Sequence, residues 1–153
     1  MTRQVEIAEE DPGQPPVIAL IRAADAYLDG LYPPEENYLL DIAQLKEPSV
    51  TFLVARLNGE VVGCGAVVRH AGYGEIKRMF VTPERRGYGI GRQLVQRLEQ
   101  AAAVANLGLV RLETGTRQPE AIGLYRAEGY VECGPFGDYR AGAFNMFMEK
   151  RLG

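Results

Sequence analysis

Val81-Thr82-Pro83-Glu84-Arg85-Arg86-Gly87-Tyr88-Gly89-Ile90-Gly91-Arg92-Gln93-Leu94 joins a run that reads as a β-strand to a run that reads as a helix. Pro83 cannot donate to a strand ladder and ends the strand. Gly87, Gly89 and Gly91 let the backbone approach a ligand without an intervening Cβ. Arg85, Arg86 and Arg92 place fixed positive charge around the turn. A helix start presents free N–H groups and partial positive charge, so the segment suits a polyanion, with a diphosphate as the natural candidate. On glycine spacing alone, an ordinary strand-to-helix turn fits equally well. A Walker loop fails, because Gly91 is followed by Arg92-Gln93 rather than Lys-Ser/Thr. A dinucleotide fingerprint needs glycines at positions one, three and six, and here the third falls one residue early. Glu113 does follow at about the distance of a ribose-binding carboxylate, which keeps that alternative open.

The surroundings narrow the fold. Thr51–Leu57 and Glu60–Val68 are β-rich runs around Asn58-Gly59, the strongest short hairpin signal. Gly74–Val81 adds a third strand, giving an antiparallel meander before the loop. Gly91–Asn106 follows as a helix with a stripe of Leu94, Val95, Leu98, Ala101, Ala102 and Ala105. Leu109–Thr114 is then a strand; a connection of this length makes it parallel to Gly74–Val81. Pro119–Glu128 is a short helix with proline at its start and Gly129 as its cap. Tyr130–Cys133 and Ala143–Lys150 complete the strands. Upstream, Arg3–Ile7 reads as a strand, Glu9–Pro16 as a loop, Val17–Leu28 as a helix and Glu35–Leu45 as a second helix. The order is β, α, α, β, β, β, loop, α, β, α, β, β.

Bulk properties exclude several classes. The chain has 153 residues, 46% hydrophobic and 24% charged. That fits one globular domain over residues 1–153 with an ordinary core. Seventeen Lys and Arg against 20 Asp and Glu leave a net charge of −3, which argues against a nucleic-acid partner. Cys64 and Cys133 fit no metal spacing and read as reduced thiols. His70 is the single histidine and falls in a loop, so neither a His-rich metal site nor a catalytic triad is expected. The first residues lack a signal-peptide core, and no run approaches 18 apolar residues, so no membrane association and a cytoplasmic location are expected.

The quoted stretch closely resembles the central motif of the GCN5-related N-acetyltransferases (GNAT). In that motif a Gln or Arg is followed by two free residues, Gly, one free residue, then Gly or Ala; Arg86, Gly89 and Gly91 meet it. Ala121-Ile122-Gly123-Leu124-Tyr125-Arg126-Ala127-Glu128-Gly129-Tyr130 resembles the family's second hallmark. The element order agrees over essentially the whole chain, least characteristically over residues 1–50. The resemblance implies an α/β fold, a mixed, mostly antiparallel sheet of six to seven strands with about four helices and one parallel pair. It implies acetyl-CoA as cosubstrate, no metal, and transfer to a primary amine, taken as that of a small molecule, by direct attack in a ternary complex. A homodimer through the last strands is compatible with family habit.

Residue by residue, the backbone at Phe80 and Val81 would pair with the pantetheine arm. The segment Arg86, Gly87, Tyr88, Gly89, Ile90, Gly91 and Arg92 would hold the diphosphate. Tyr125 would sit near the thioester sulfur as general acid. Where many members carry a cofactor-contacting Asn, the nearest amide here is Gln118. Glu75 and Glu113, both near the expected cleft, are candidates for the general base; a strand-end carboxylate paired with Lys77, Arg78 or Arg111 is the plainer alternative. Glu113 could instead hold a cationic part of the acceptor. Tyr27, Tyr32, Glu35, Glu36 and Tyr38 fall where this family builds its acceptor pocket, with Tyr32 the chosen contact. Phe136, Tyr139, Arg140 and Phe144 could close that pocket. A lysine-like amine costs roughly 4–5 kcal/mol to deprotonate at pH 7, and an α-amine only about 1 kcal/mol, so the need for a base depends on the acceptor. A non-catalytic acyl-CoA sensor, a protein or peptide amine acetyltransferase and an NAD binder are the competing readings.

Overall fold

A computed structural model describes residues 4–33 and 40–153. One seven-stranded sheet runs in the order β1 (Val5–Glu9), β2 (Val50–Leu57), β3 (Glu60–His70), β4 (Tyr73–Val81), β5 (Leu109–Gly115), β7 (Asn145–Arg151) and β6 (Val131–Cys133). Every neighbouring pair is antiparallel except β4 with β5. The helices are α1 (Pro15–Asp29), α2 (Ile42–Leu45), α3 (Ile90–Val104) and α4 (Pro119–Ala127), with a 3-10 turn at Pro83–Arg85.

The sheet is covered on both faces, and the strands show it by parity. In β2, Phe52 and Val54 pack with Val17, Leu20 and Ile21 of α1 and Leu45 of α2. Leu53, Ala55 and Leu57 face the other way, against Leu94, Val95, Leu98 and Ala102 of α3. Alternate residues of a strand point to opposite faces, so a central strand is apolar throughout. Each fully buried aliphatic side chain of this kind contributes ~1.5–3 kcal/mol. The β2–β3 hairpin turns on Asn58 and Gly59 at φ 53° and 83°, the pair of left-handed residues that a two-residue turn requires.

Several boundaries differ from expectation. Helix α1 starts at Pro15, inside the expected loop, because proline at the first helical positions brings a suitable φ and needs no acceptor. The expected helix over Glu35–Leu45 is, within the described residues, only Ile42–Leu45. Asp41 caps it through a reciprocal pair: the Gln44 amide donates to Asp41 Oδ1 at 2.8 Å, and Asp41 N–H to Gln44 Oε1 at 2.9 Å. His70 is the last residue of β3 rather than part of a loop. Glu35, Glu36 and Tyr38 lie outside the described residues. No helix among the described residues is long and apolar enough to cross a membrane.

One irregularity shapes everything downstream. Cys64 pairs with Phe80 but Ala66 pairs with Lys77, so β4 carries one extra residue against β3. The bulge lies at Arg78, whose φ is 59°. Bulges bend and twist a strand locally. On the opposite edge, β4 pairs with β5 only over Gly74–Ile76 with Val110–Leu112. Beyond those residues the two parallel strands no longer pair, and a cleft opens between them.

Candidate active site

Two cavities occupy the cleft. The larger, about 330 Å³, runs along Met79–Val81 to the turn at Arg85–Arg92 and is closed by Ala121, Leu124 and Tyr125 of α4. The smaller, about 110 Å³, is bounded by α1, by Ile76–Phe80, by Glu113–Gly115 and by Phe144. They share Tyr27, Met79, Phe80, Gln118, Ala121 and Tyr125, and so meet at these residues.

The turn of the larger cavity is built from glycines and arginines. Gly87 and Gly89 have φ of 88° and 78°, a left-handed conformation that costs a non-glycine residue about 1–2 kcal/mol. Gly89 is the N-cap of α3 and makes no side-chain cap, so the first amides of that helix have no intrahelical acceptor. A Cβ placed on Gly87 or Gly89 would meet no protein atom within 4 Å; packing does not require glycine at either position, and their left-handed φ does. The arginines are differently disposed. Arg92 reaches Glu128 at 3.3 Å and Arg85 reaches Glu60 at 3.9 Å. Arg86 folds inward: its guanidinium lies 5.2 Å from the Tyr27 ring and 5.7 Å from the Phe80 ring, and Nε donates to the Val81 carbonyl. Tyr88 is exposed and lies outside the cavity lining.

Tyr125 stands where the cavities meet, and a helix terminus holds it there. Gly129, at φ 96°, ends α4 in a left-handed turn. The Tyr130 amide donates to the Tyr125 carbonyl and the Gly129 amide to the Arg126 carbonyl, which is the Schellman arrangement. The Tyr130 ring packs edge-on against Tyr125, centroids 5.8 Å apart, as the hydrophobic contact of that motif. Burial pushes the Tyr125 phenol well above its ordinary value, so it keeps its proton at neutral pH.

The smaller cavity has an aromatic roof with acidic and basic walls. Tyr32 is buried, accepts the Arg117 amide at 3.0 Å and donates to Gln118 Oε1 at 3.2 Å. Gly115 makes this crossing possible, because a Cβ there would overlap the Tyr32 hydroxyl. Burial raises the Tyr32 phenol, the Arg117 amide opposes this, and the Tyr27 and Glu113 charges add to the rise. Glu113 lines the cavity. Arg78 lines it too, but its guanidinium is bound to Asp25 at 2.5 Å and to the Leu40 carbonyl at 2.8 Å.

Glu75 departs from expectation. It lines neither cavity. It is buried behind Lys77, where Oε1 is 2.9 Å from His70 Nε2 and Oε2 accepts the Tyr139 hydroxyl at 2.5 Å. Strand parity puts Glu75 on the expected face, but it sits two residues short of where the strands part. Lys77 and Arg78, named from the sequence only as ion-pair partners, line the cavity instead; no glycine marks the bulge that turns them in. Phe144 lines the cavity, whereas Tyr139 and Phe136 pack together behind it, ring centroids 5.2 Å apart. Cys64 is packed under β4 with its thiol pushed up to about 12 by burial, unsuited to nucleophilic work. Both cysteines are free. Among the described residues, no cluster of His, Cys, Asp or Glu is placed to hold a metal.

Comparison with known proteins agrees with this geometry. Residues 48–132 match the model of the acetyltransferase (GNAT) domain. The chain is 50% identical over 150 residues to the IAA acetyltransferase of Azospirillum brasilense, covering 97% of this chain and 98% of that protein. A crystal structure from Klebsiella pneumoniae, described as an acyl-CoA N-acyltransferase, superposes with a TM-score of 0.82 at 35% identity, covering 97% of this chain and 98% of that one. The PaiA N-acetyltransferase of Thermoplasma acidophilum, solved with coenzyme A, shares the fold at a TM-score of 0.77 and 19% identity, covering 97% and 99% of the two chains. With the Arg86–Gly91 turn, the parted parallel strands and Tyr125 in one site, the chain belongs to the GNAT family and is an acetyl-CoA-dependent N-acetyltransferase.

Proposed function

We propose that the protein acetylates the primary amine of a small molecule, by direct attack with both substrates bound. The observation that carries this reading is the pair of cavities, about 330 and 110 Å³, that meet at Tyr125. The smaller volume suits a compact acceptor rather than a length of polypeptide.

The larger cavity fits acetyl-CoA, which when bound supplies an acyl group activated as a thioester. The amides from Arg86 to Arg92, in the turn and at the start of α3, would hold the diphosphate. The β4 edge at Phe80 and Val81, unpaired toward β5, would take the pantetheine arm as an added strand. Arg86 Nε must first leave the Val81 carbonyl. Gln118 lines both cavities and orients the acceptor side through its bond to Tyr32. The Glu113 carboxylate draws a cationic amine inward. Tyr125 holds a proton at Oη for a departing thiolate. A positioned acid or base of this kind contributes about 10²–10⁴ in rate.

The test is CoA release with acetyl-CoA and a panel of small amines, IAA and a peptide with a free N-terminus. Turnover on a small amine, lowered about 10²-fold in Tyr125→Phe, is expected. Turnover on the peptide alone, or acetyl-CoA binding without turnover on any acceptor, would overturn the reading.

A further inference from the structure

The buried charges behind the smaller cavity form a continuous hydrogen-bonded chain. Lys77, 12% exposed in its side chain, lines the cavity. Its ammonium donates to the Tyr139 hydroxyl at 2.6 Å. Tyr139 donates to Glu75 Oε2 at 2.5 Å. The other oxygen of Glu75, 6% exposed, meets His70 Nε2 at 2.9 Å, and the His70 side chain is 37% exposed. Three short contacts thus lead from the acceptor cavity to solvent.

We propose that Lys77, Tyr139, Glu75 and His70 are a proton exit that carries away the proton lost by the acceptor's ammonium group. The proposal rests on the small-amine reading above. Lys77 contacts the acceptor; the other three act through it. Each transfer balances. Lys77 passes a proton to Tyr139 Oη as the Tyr139 phenol passes its own to Glu75 Oε2. Lys77 is left as a neutral amine and Glu75 as a neutral acid. The Glu75 carboxyl reorients and protonates His70 Nε2; the imidazolium releases a proton from Nδ1 to water, and the half-exposed ring regains its Nδ1–H tautomer by proton exchange with solvent before the next turnover. The Lys77 amine then takes a proton from the acceptor ammonium, leaving the neutral nucleophile. The net change is one proton moved from acceptor to solvent, with no oxidant or reductant.

The surroundings favour such a shuttle. Burial first, and then the Glu75 contact, push the Tyr139 phenol up, so it remains a proton donor. The charged and titratable groups facing the cluster are His70 from β3, Tyr73 and Lys77 from β4, Arg111 and Glu113 from β5, and Asp138 from the loop before β7. Arg111 is held by Glu149 at 3.1 Å and stacks on Tyr73.

Tyr139→Phe keeps the ring packing and breaks the chain. At pH 7 it should lower kcat about tenfold or more on an alkylamine, within the range for positioned proton transfer. It should change kcat less than about twofold on an arylamine that is already neutral at that pH, since general acid–base assistance is then not needed at this step. The alkylamine defect should shrink as pH rises toward the amine's own pKa. His70→Ala should slow the alkylamine reaction in weak buffer, and added imidazole should restore it. Equal loss on both amines at every pH, or a His70→Ala defect that imidazole leaves unchanged, would overturn the relay. Failure of wild-type protein to acetylate any amine would instead sink the small-amine reading.

Discussion

Gly115→Ala tests how the acceptor cavity is built. Gly115 is the last residue of β5, and its φ is not left-handed, so alanine brings no backbone strain. The added methyl would overlap Tyr32 Oη and Cζ and come within 2.7 Å of Gln118 Oε1. Gln118 can swing away; the Tyr32 ring, 6% exposed and packed edge-on against Phe144, has to leave its site. Two hydrogen bonds to its hydroxyl go with it, from the Arg117 amide and to Gln118. At about 1 kcal/mol each, plus roughly 1 kcal/mol of lost ring burial, the expected cost is about 3 kcal/mol. For a chain of this size that lowers Tm by about 6–12 °C. A thermal-unfolding cycle with Tyr32→Ala isolates the cause. In the Tyr32→Ala background, Gly115→Ala should cost under about 1 kcal/mol, because its collision partner is gone. Additive losses would refute the idea that Gly115 exists to admit Tyr32. The acceptor KM should rise in Gly115→Ala with the acetyl-CoA KM little changed, since Gly115 lines only the smaller cavity.

Gly89→Val puts a β-branched residue at φ 78°, at a cost of about 2 kcal/mol, and fills space over the first α3 amides. CoA affinity by calorimetry should fall at least about tenfold, a loss of roughly 1.4 kcal/mol; unchanged affinity would remove the turn from the donor site. Alkaline pH should unfold the protein through its tyrosines. The phenols of Tyr125, Tyr130 and Tyr139 are all raised, with burial the largest cause. The unfolded chain ionises near pH 10 while the folded one keeps these protons, so stability is intact below pH 10 and lost above it. Three such groups give a slope of about 4 kcal/mol per pH unit above 10, readable by urea unfolding; an unfolding free energy that stays flat as pH rises above 10 would contradict it.

What was legible in the sequence was what a few adjacent residues decide. Asn58-Gly59 specifies its hairpin because few other residue pairs accept two left-handed conformations. The Pro83-to-Gly91 turn and the Gly129 cap are likewise local. Asp41-x-x-Gln44 carried a capping-box signal that marks the true start of α2, against the longer helix suggested by the acidic Glu35-Glu36. The bulge was not legible, because its left-handed residue is an arginine. Arg78 is held at φ 59° by two long-range contacts, to Asp25 and to the Leu40 carbonyl. Nothing within a few residues of it announces that conformation. The direction of Glu75 was hidden for the same reason: Tyr139, which binds it, lies 64 residues away.

The same distinction explains why the donor is identifiable and the acceptor is not. In the proposed site a diphosphate would be held by backbone N–H groups of one turn and one helix start, so its recognition compresses into a short run of residues beginning at Arg86. The acceptor cavity draws on α1, the bulged part of β4, the end of β5, Gln118 at the cap of α4 and Phe144 before β7. Apart from Gly115 and Gln118, these segments are far apart in the chain, and they meet where β4 and β5 stop pairing after Ile76 and Leu112. Acceptor choice can therefore change by substitutions scattered over five segments while the donor turn stays as it is. Chains that share the Arg86–Gly91 motif should share acetyl-CoA, and are free to differ in the amine.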